Sequence, residues 1–176
     1  MKATWLILTL LFMLIDPMEI NASDETVMDL GIRVGISNPR EEFDFESFEV
    51  FGNYGLPWGW RTPFEWIPGT GINGSVGVLI QEGDTALLAT LGPVTSFSSP
   101  GSRVTLDIGV GFALISEEKV GDHSFGGPFQ FIAHGGVSYR LPWNLALGYQ
   151  FFHISDGGIF GGNGLNRHLL EISYRF

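Results

Sequence analysis

A histidine and a serine near the end of the chain could form a nucleophilic pair. His153 and Ser155 are separated by one residue, a spacing that puts both side chains on the same face of a β-strand. A serine becomes a nucleophile when a base takes its proton, and that base needs a third group to fix its tautomer. We expect Asn166 to be this third group, with His168 as a spare base. Glu171 is a poor candidate because it points to the opposite face, roughly 16 Å from Asn166.

Two segments of alternating residues must position these side chains. From Trp143 to Phe151 the odd positions are apolar and the even ones are small or polar, and from His168 to Phe176 the even positions are mainly apolar. An apolar outer face and a polar inner face at a period of two are typical of transmembrane β-strands. His153, Ser155 and Asn166 are therefore predicted to face lipid, at the outer end of the strands if both chain termini lie in the periplasm.

The same pattern predicts eight strands. They fall near residues 26–36, 44–60, 72–81, 85–95, 103–115, 128–140, 143–155 and 166–176. The second is the least regular, because Pro57 and Pro63 cannot donate hydrogen bonds to a ladder. Four aromatic residues fall at the predicted periplasmic end, where an aromatic girdle is expected, namely Tyr139, Trp143, Tyr174 and Phe176.

Composition favours a membrane barrel over a soluble fold. Aromatic residues make up 14% of the chain, there are 25 glycines, and charged residues make up only 16%. A soluble β-sandwich would share the alternation but would turn its apolar faces inward. We predict an all-β fold, an eight-stranded antiparallel transmembrane β-barrel of the outer membrane, over residues 23–176. Residues 1–22 resemble a signal peptide, with Lys2 followed by an apolar run.

Charge and cysteine content exclude several functions. Removal of Lys2, Asp16 and Glu19 with the signal peptide changes the formal net charge from −10 to −9, which argues against nucleic-acid binding. The chain has no cysteine, so disulfides, thiol catalysis and a lipoprotein anchor are excluded. No metal-ligand spacing stands out, and we expect no metal and no cofactor.

Charged residues on the inner faces of the strands predict a network inside the barrel. Its expected members are Asp29, Arg33, Arg103, Asp107, Arg140, Glu171 and Arg175, together with His134. Side chains should fill the lumen of so narrow a barrel. His123, in a predicted loop, is expected to be solvated.

The end of the chain also resembles a known family. The stretch His153-Ile-Ser155-Asp-Gly-Gly158-Ile, a glycine-rich loop, Asn166 and a closing strand are similar to the end of the lipid A 3-O-deacylase (PagL) family. The run Gly-Val-Gly-Phe-Ala at 109–113 fits the same likeness. Members of that family are eight-stranded outer-membrane barrels that hydrolyse the ester-linked 3-hydroxyacyl chain at position 3 of lipid A. They use a histidine–serine–acid triad on the outward face.

The resemblance implies a role for each candidate residue. His153 matches the general base, Ser155 the nucleophile and Asn166 the position of the triad acid, while Gly158 and Asp156 match the oxyanion region. Two of these residues depart from the family pattern, which has asparagine at the position of Asp156 and glutamate at that of Asn166. A carboxylate beside a developing oxyanion would oppose it, and an asparagine stabilises an imidazolium less well than a carboxylate does.

The implied function is that of a carboxylic ester hydrolase. Its substrate would be lipid A in lipopolysaccharide, its surroundings the lipids of the outer membrane, and its mechanism a serine–histidine one without cofactor. The two departures keep an alternative open, a non-catalytic small outer-membrane barrel with a structural or adhesive role. A homodimer is also left open.

Overall fold

The structure is a computed structural model that describes residues 21–22, 28–37, 44–59 and 66–176. The predicted signal peptide lies outside these residues except for Asn21–Ala22, which pair with Gly59 and Trp58. Pro63 also lies outside them. Among the described residues, no helix is long and apolar enough to cross a membrane.

Eight antiparallel strands form a closed barrel. They are β1 (Met28–Ser37), β2 (Glu46–Gly59), β3 (Ile67–Gln81), β4 (Asp84–Ser98), β5 (Val104–Ile115), β6 (Phe129–Arg140), β7 (Leu145–Ser155) and β8 (Leu165–Arg175). Each strand pairs with the next in the chain, and β8 pairs with β1, so the sheet has no open edge. Closure lets neighbouring strands pair their backbone groups all the way round the sheet, as a membrane-spanning barrel requires. The predicted fold is confirmed.

The barrel is apolar outside and polar inside over much of its length. On β1, Ile32 and Val34 are exposed, whereas Arg33 between them is buried. On β5, Leu106, Ile108, Val110, Phe112 and Leu114 are all exposed. A soluble β-sandwich would bury these side chains, so this distribution identifies a lipid-facing surface. The four aromatic residues of the predicted girdle are exposed as well.

The interior of the barrel differs between its two ends. We call the end where β7 finishes and β8 begins the loop end, and the opposite one the turn end. Apolar side chains fill the interior toward the loop end, among them Leu79, Leu88, Ile115, Phe152, Ile154, Leu165 and Leu169. Next to them, the buried carboxylate of Glu49 accepts hydrogen bonds from Arg33 (2.7 Å) and Arg167 (2.6 Å).

A polar cavity of about 240 Å³ occupies the lumen toward the turn end. Its lining includes Asp107, Gln150 and Glu171, and the paired Asp29 and Arg175. The lumen is therefore filled with side chains at one end and leaves space at the other.

Most of the predicted interior charges do lie inside, but Arg103 does not. β5 begins at Val104, so Arg103 precedes the strand and is exposed, while its carbonyl accepts the N–H of Arg140. The predicted network also lacked Glu49 and Arg167, the most deeply buried members of the network that the structure shows.

Two strands are longer than predicted, and a third has an irregular end. β2 runs past Pro57 to Gly59, within its predicted bounds, with a register shift between Leu56 and Gly59 that accommodates the missing donor. β3 and β4 extend further toward the turn end than predicted, where Ile67 pairs with Ser98. These ends are rich in small and polar residues, which carry no alternation signal although their backbones pair.

Candidate active site

His153 and Asn166 lie directly opposite each other on β7 and β8. Phe152 and Ile154 on either side of His153 are fully buried, so the histidine side chain projects from the exterior of the barrel. Its Nδ1 atom is 2.8 Å from Oδ1 of Asn166. Because an amide oxygen only accepts, Nδ1 carries the proton and Nε2 is left as the basic nitrogen.

Ser155 lies on the same outward face, two residues nearer the loop end. Space beside the pair depends on Gly164. A Cβ atom at that glycine would lie 3.2 Å from Cε1 of His153 and 3.7 Å from Cβ of Ser155. The strand register therefore places His153 and Asn166 opposite each other with Ser155 on the same outward face, and Gly164 leaves space beside His153 and Ser155.

The loop that follows Ser155 is organised by the carboxylate of Asp156. This side chain is 3% exposed and turned away from the face of Ser155. Its Oδ1 accepts the N–H of Gly158 (2.7 Å), and its Oδ2 accepts those of Phe160 and Gly162 (2.9 Å each). These backbone donors, first Gly162 and then Gly158, lower the pKa of Asp156 from its ordinary value of 3.8.

One of these hydrogen bonds joins Gly158 and Asp156, the two residues of the predicted oxyanion region. The N–H of Gly158 is donated to Asp156, so in this conformation it is not offered to an oxyanion at Ser155. The negative charge of Asp156 is compensated by backbone donors within its own loop. Asp156 follows Ser155 directly, and the polar groups of Asp156 and Gly158 are directed at each other.

The loop between β5 and β6 contacts the loop between β7 and β8. The short hairpin Lys119–Val120 with His123–Ser124 folds over the loop end, where the carbonyl of Ser124 accepts the N–H of Asn163 (2.8 Å). His123 is 2% exposed, packs against Phe45 and Phe125, and has its Nε2 atom 3.2 Å from the carbonyl oxygen of Asn163. The prediction that His123 is solvated is wrong, because this hairpin covers the apolar interior instead of extending into water.

Two other histidines lie apart from Ser155. His134 faces the interior, where it stacks on Phe152 and has its Nδ1 atom 3.8 Å from a carboxylate oxygen of Asp107. His168 faces outward two residues beyond Asn166, and its Nδ1 atom is 2.5 Å from the hydroxyl of Tyr149. Within the described part of the chain, no group of three or more histidine, cysteine or acidic residues could hold a metal ion.

A known protein family matches most of the chain. The family model described as "Lipid A 3-O-deacylase (PagL)" matches residues 47–175, which include nearly all of β2 and every strand after it. The chain belongs to this family. The matched range contains His153, Ser155, Asp156, Gly158 and Asn166.

Individual relatives and solved structures agree with the family match. The lipid A deacylase PagL of Bordetella bronchiseptica is 31% identical over 77 residues, which span 43% of this chain and 43% of that protein. The crystal structure of the outer membrane enzyme PagL superposes with a TM-score of 0.68 at 18% identity, covering 83% of this chain and 98% of that one. The outer membrane protein Ail of Yersinia pestis gives 0.52 at 12% identity, covering 86% and 100%. At these identities the two structures show a shared barrel fold.

Proposed function

We propose that this protein is an outer-membrane carboxylic ester hydrolase that removes the 3-hydroxyacyl chain at position 3 of lipid A. Membership of the lipid A 3-O-deacylase family supports the substrate class. The observation that carries the proposal is the hydrogen bond between His153 and Asn166 on the lipid-facing exterior, with Ser155 on the same face. A serine esterase whose substrate is a membrane lipid needs its nucleophile on that surface.

The proposed reaction has two halves. Ser155 attacks the ester carbonyl while Nε2 of His153 takes the hydroxyl proton, and the bond between the carbonyl carbon and the sugar oxygen then breaks. His153 gives the proton to the departing sugar oxygen, which leaves as a hydroxyl. A water molecule, deprotonated by His153, next attacks the acyl–Ser155 ester; the bond from the carbonyl carbon to Oγ of Ser155 breaks, His153 returns the proton to that oxygen, and the fatty acid is freed. Asn166 holds Nδ1–H throughout and thereby fixes the tautomer.

The tetrahedral intermediate needs a hydrogen-bond donor for its oxyanion. We assign this role to the N–H of Gly158, in keeping with the resemblance to the family. In this chain the N–H must first leave Oδ1 of Asp156, so the loop has a rearrangement to make before catalysis. The outward faces of Tyr149 and Phe151 would hold the acyl chain beside the barrel and exclude water.

The direct test replaces the nucleophile. Cells with a defined lipid A should lose the mass of one 3-hydroxyacyl chain when they express the natural protein, and should keep it when they express Ser155→Ala. Mass spectrometry of extracted lipid A measures both. Ser138→Ala, a strand serine that faces the lumen, is the matched control and should behave like the natural protein. An unchanged mass loss with Ser155→Ala would refute the assignment.

One observation favours a second candidate, a non-catalytic outer-membrane barrel. The N–H of Gly158 is already bonded to Asp156, which leaves the proposed oxyanion donor occupied at rest. This candidate predicts identical lipid A in cells with and without the protein.

A further inference from the structure

The polar cavity in the lumen is separate from the reaction described above. It has a volume of about 240 Å³ and lies inside the barrel, whereas His153 and Ser155 project from the exterior. Its lining reaches Leu56 and Ser98 at the turn end, while apolar side chains fill the interior toward the loop end. A ligand of this cavity would therefore enter from the turn end and would be small and polar.

The ionic side chains that line this cavity do not balance. Three are acidic and two are arginines, with one histidine beside them. Arg175 pairs with Asp29 (2.6 Å), and Arg33 pairs with a glutamate outside the lining. Asp107 and Glu171 have no lysine or arginine within ion-pair distance in the described part of the chain. Buried carboxylates without a counter-charge are costly, so the cavity favours a cation.

Two amide oxygens add to this need. Nε2 of Gln150 donates to both carboxylate oxygens of Asp107, at 2.8 and 3.0 Å, which leaves Oε1 of Gln150 as an acceptor. Gln150 and Asn73 are each only 6% exposed, and neither Oε1 of the first nor Oδ1 of the second has a hydrogen-bond partner among the described residues. Both side chains line the cavity. Buried acceptors of this kind are normally satisfied by a donor, a water molecule or an ion.

Glycines on the inner wall keep the cavity open. A Cβ atom on Gly148 would lie 2.6 Å from Oε1 of Glu171, and one on Gly136 would collide with the side-chain amide of Gln150. Both side chains therefore lie over the neighbouring strand instead of crossing the lumen. Glu171 is also near enough to interact with Gln150 and with Asp107. The two carboxylates and the amide thus form one polar wall of the cavity.

We propose that this wall binds one small monovalent cation, such as Na⁺, through oxygens of Asp107, Glu171 and Gln150, with water completing its coordination. Carboxylate and amide oxygens are hard ligands that suit a hard cation. A single positive charge matches the lining, which has one acid more than it has arginines. A multivalent metal does not fit, since no group of three or more histidine, cysteine or acidic residues in the described ranges could hold one. The site belongs to the barrel interior and does not depend on the proposed function.

The experiment measures thermal unfolding of the full-length protein in micelles of a neutral detergent. Choline chloride is replaced stepwise by NaCl at constant ionic strength and constant pH, so that only the identity of the cation changes. We expect a saturable rise in Tm, by about 3–5 °C once Na⁺ exceeds its Kd about tenfold, because a ligand that binds only the folded state stabilises it. Asp107→Asn and Glu171→Gln should each abolish the rise. Glu82→Gln, which neutralises an exposed acid in the turn between β3 and β4, is the matched control and should keep it.

The line width of the sodium-23 NMR signal gives a second readout that needs no variant. Folded protein should broaden the line, and heat-unfolded protein should not. Equal Tm values in choline and in Na⁺, without broadening, would overturn the cation site and assign the missing positive charge to a proton on His134 or on one of the acids. A rise in Tm that survives both lumen substitutions would place the ion elsewhere and would also overturn the proposal.

Discussion

At the scale of single residues, Asn166 is the feature that sets this candidate site apart. Its Oδ1 atom orients His153 at 2.8 Å, as a carboxylate would. An amide, however, carries no charge to stabilise the imidazolium that the proposed reaction forms when His153 deprotonates Ser155. Orientation is thus retained, and electrostatic stabilisation is reduced.

Restoring a carboxylate at this position should therefore accelerate the reaction. We expect Asn166→Glu to raise kcat by about tenfold or more, because the acid stabilises the cationic ring in the transition state. Asn166→Gln is the matched control, with the same added length and no charge. Equal rates for the two variants, measured on a purified lipid A substrate, would show that charge is not the limiting factor.

Gly164 is the second residue whose identity matters for the site. We expect Gly164→Ala to lower kcat by roughly 10- to 100-fold, because a methyl group there displaces the imidazole ring, and misplacement of about 1 Å has this cost. Barrel stability should change little. Gly52→Ala is the control, since a Cβ atom there lies 3.6 Å from its nearest neighbour. Equal activity of both alanine variants would contradict the role of Gly164.

At the scale of elements, the loop between β7 and β8 depends on Asp156. The pKa of Asp156 lies below its ordinary value of 3.8 because backbone N–H groups donate to the carboxylate. The ionised form therefore stabilises the folded loop above pH 3.8. That contribution is lost as the pH falls through the lower pKa of the folded state.

Hydrogen exchange can test this dependence. We expect Asp156→Asn to speed exchange at the amides of Phe160 and Gly162 at neutral pH, since an amide group offers only one acceptor oxygen. In the natural protein their protection should persist down to pH 3.8 and decline only below it. Asp122→Asn, in the exposed neighbouring hairpin, should leave protection intact. Loss of protection near pH 6 in the natural protein would assign the loop's stability to another group.

At the scale of the whole molecule, Glu49 holds together strands from opposite ends of the chain. Its carboxylate is fully buried and pairs with Arg33 on β1 and Arg167 on β8, the two strands that close the barrel. Ser75 on β3 also donates to it (2.6 Å). Closure of the barrel thus brings two guanidinium groups to one acid.

Removal of this acid should destabilise the barrel strongly. We expect Glu49→Ala to lower the free energy of unfolding by about 3–5 kcal/mol, since it leaves two buried cations without a partner. Asp29→Ala breaks a partly exposed ion pair with Arg175 and should cost at most about 1 kcal/mol. Tryptophan fluorescence during urea unfolding measures both. A similar decrease in the free energy of unfolding in the two variants would show that burial of the ion pair does not determine its effect on stability.

Alternation, together with a composition rich in aromatic residues and glycine and poor in charge, was enough to predict the barrel and the outward position of His153, Ser155 and Asn166. Their opposing register across β7 and β8 follows from the lengths of two regular strands. Where the sequence does not alternate, the strand bounds could not be predicted: β3 begins earlier and β4 ends later than the pattern indicated. Glu49 could have been predicted to face inward from exposed Phe48 and Val50 on either side, had Pro57 not obscured the strand.

The amino-acid sequence by itself determined which side chains face lipid, because residues two apart in a strand share a face whatever surrounds them. Tertiary structure alone decided the contacts that join distant parts of the chain. The carboxylate of Asp156 turns into its own loop, His123 is buried under a hairpin, and Tyr149 meets His168 across two strands. These contacts depend on loop paths and cross-strand distances, which a period of two does not encode.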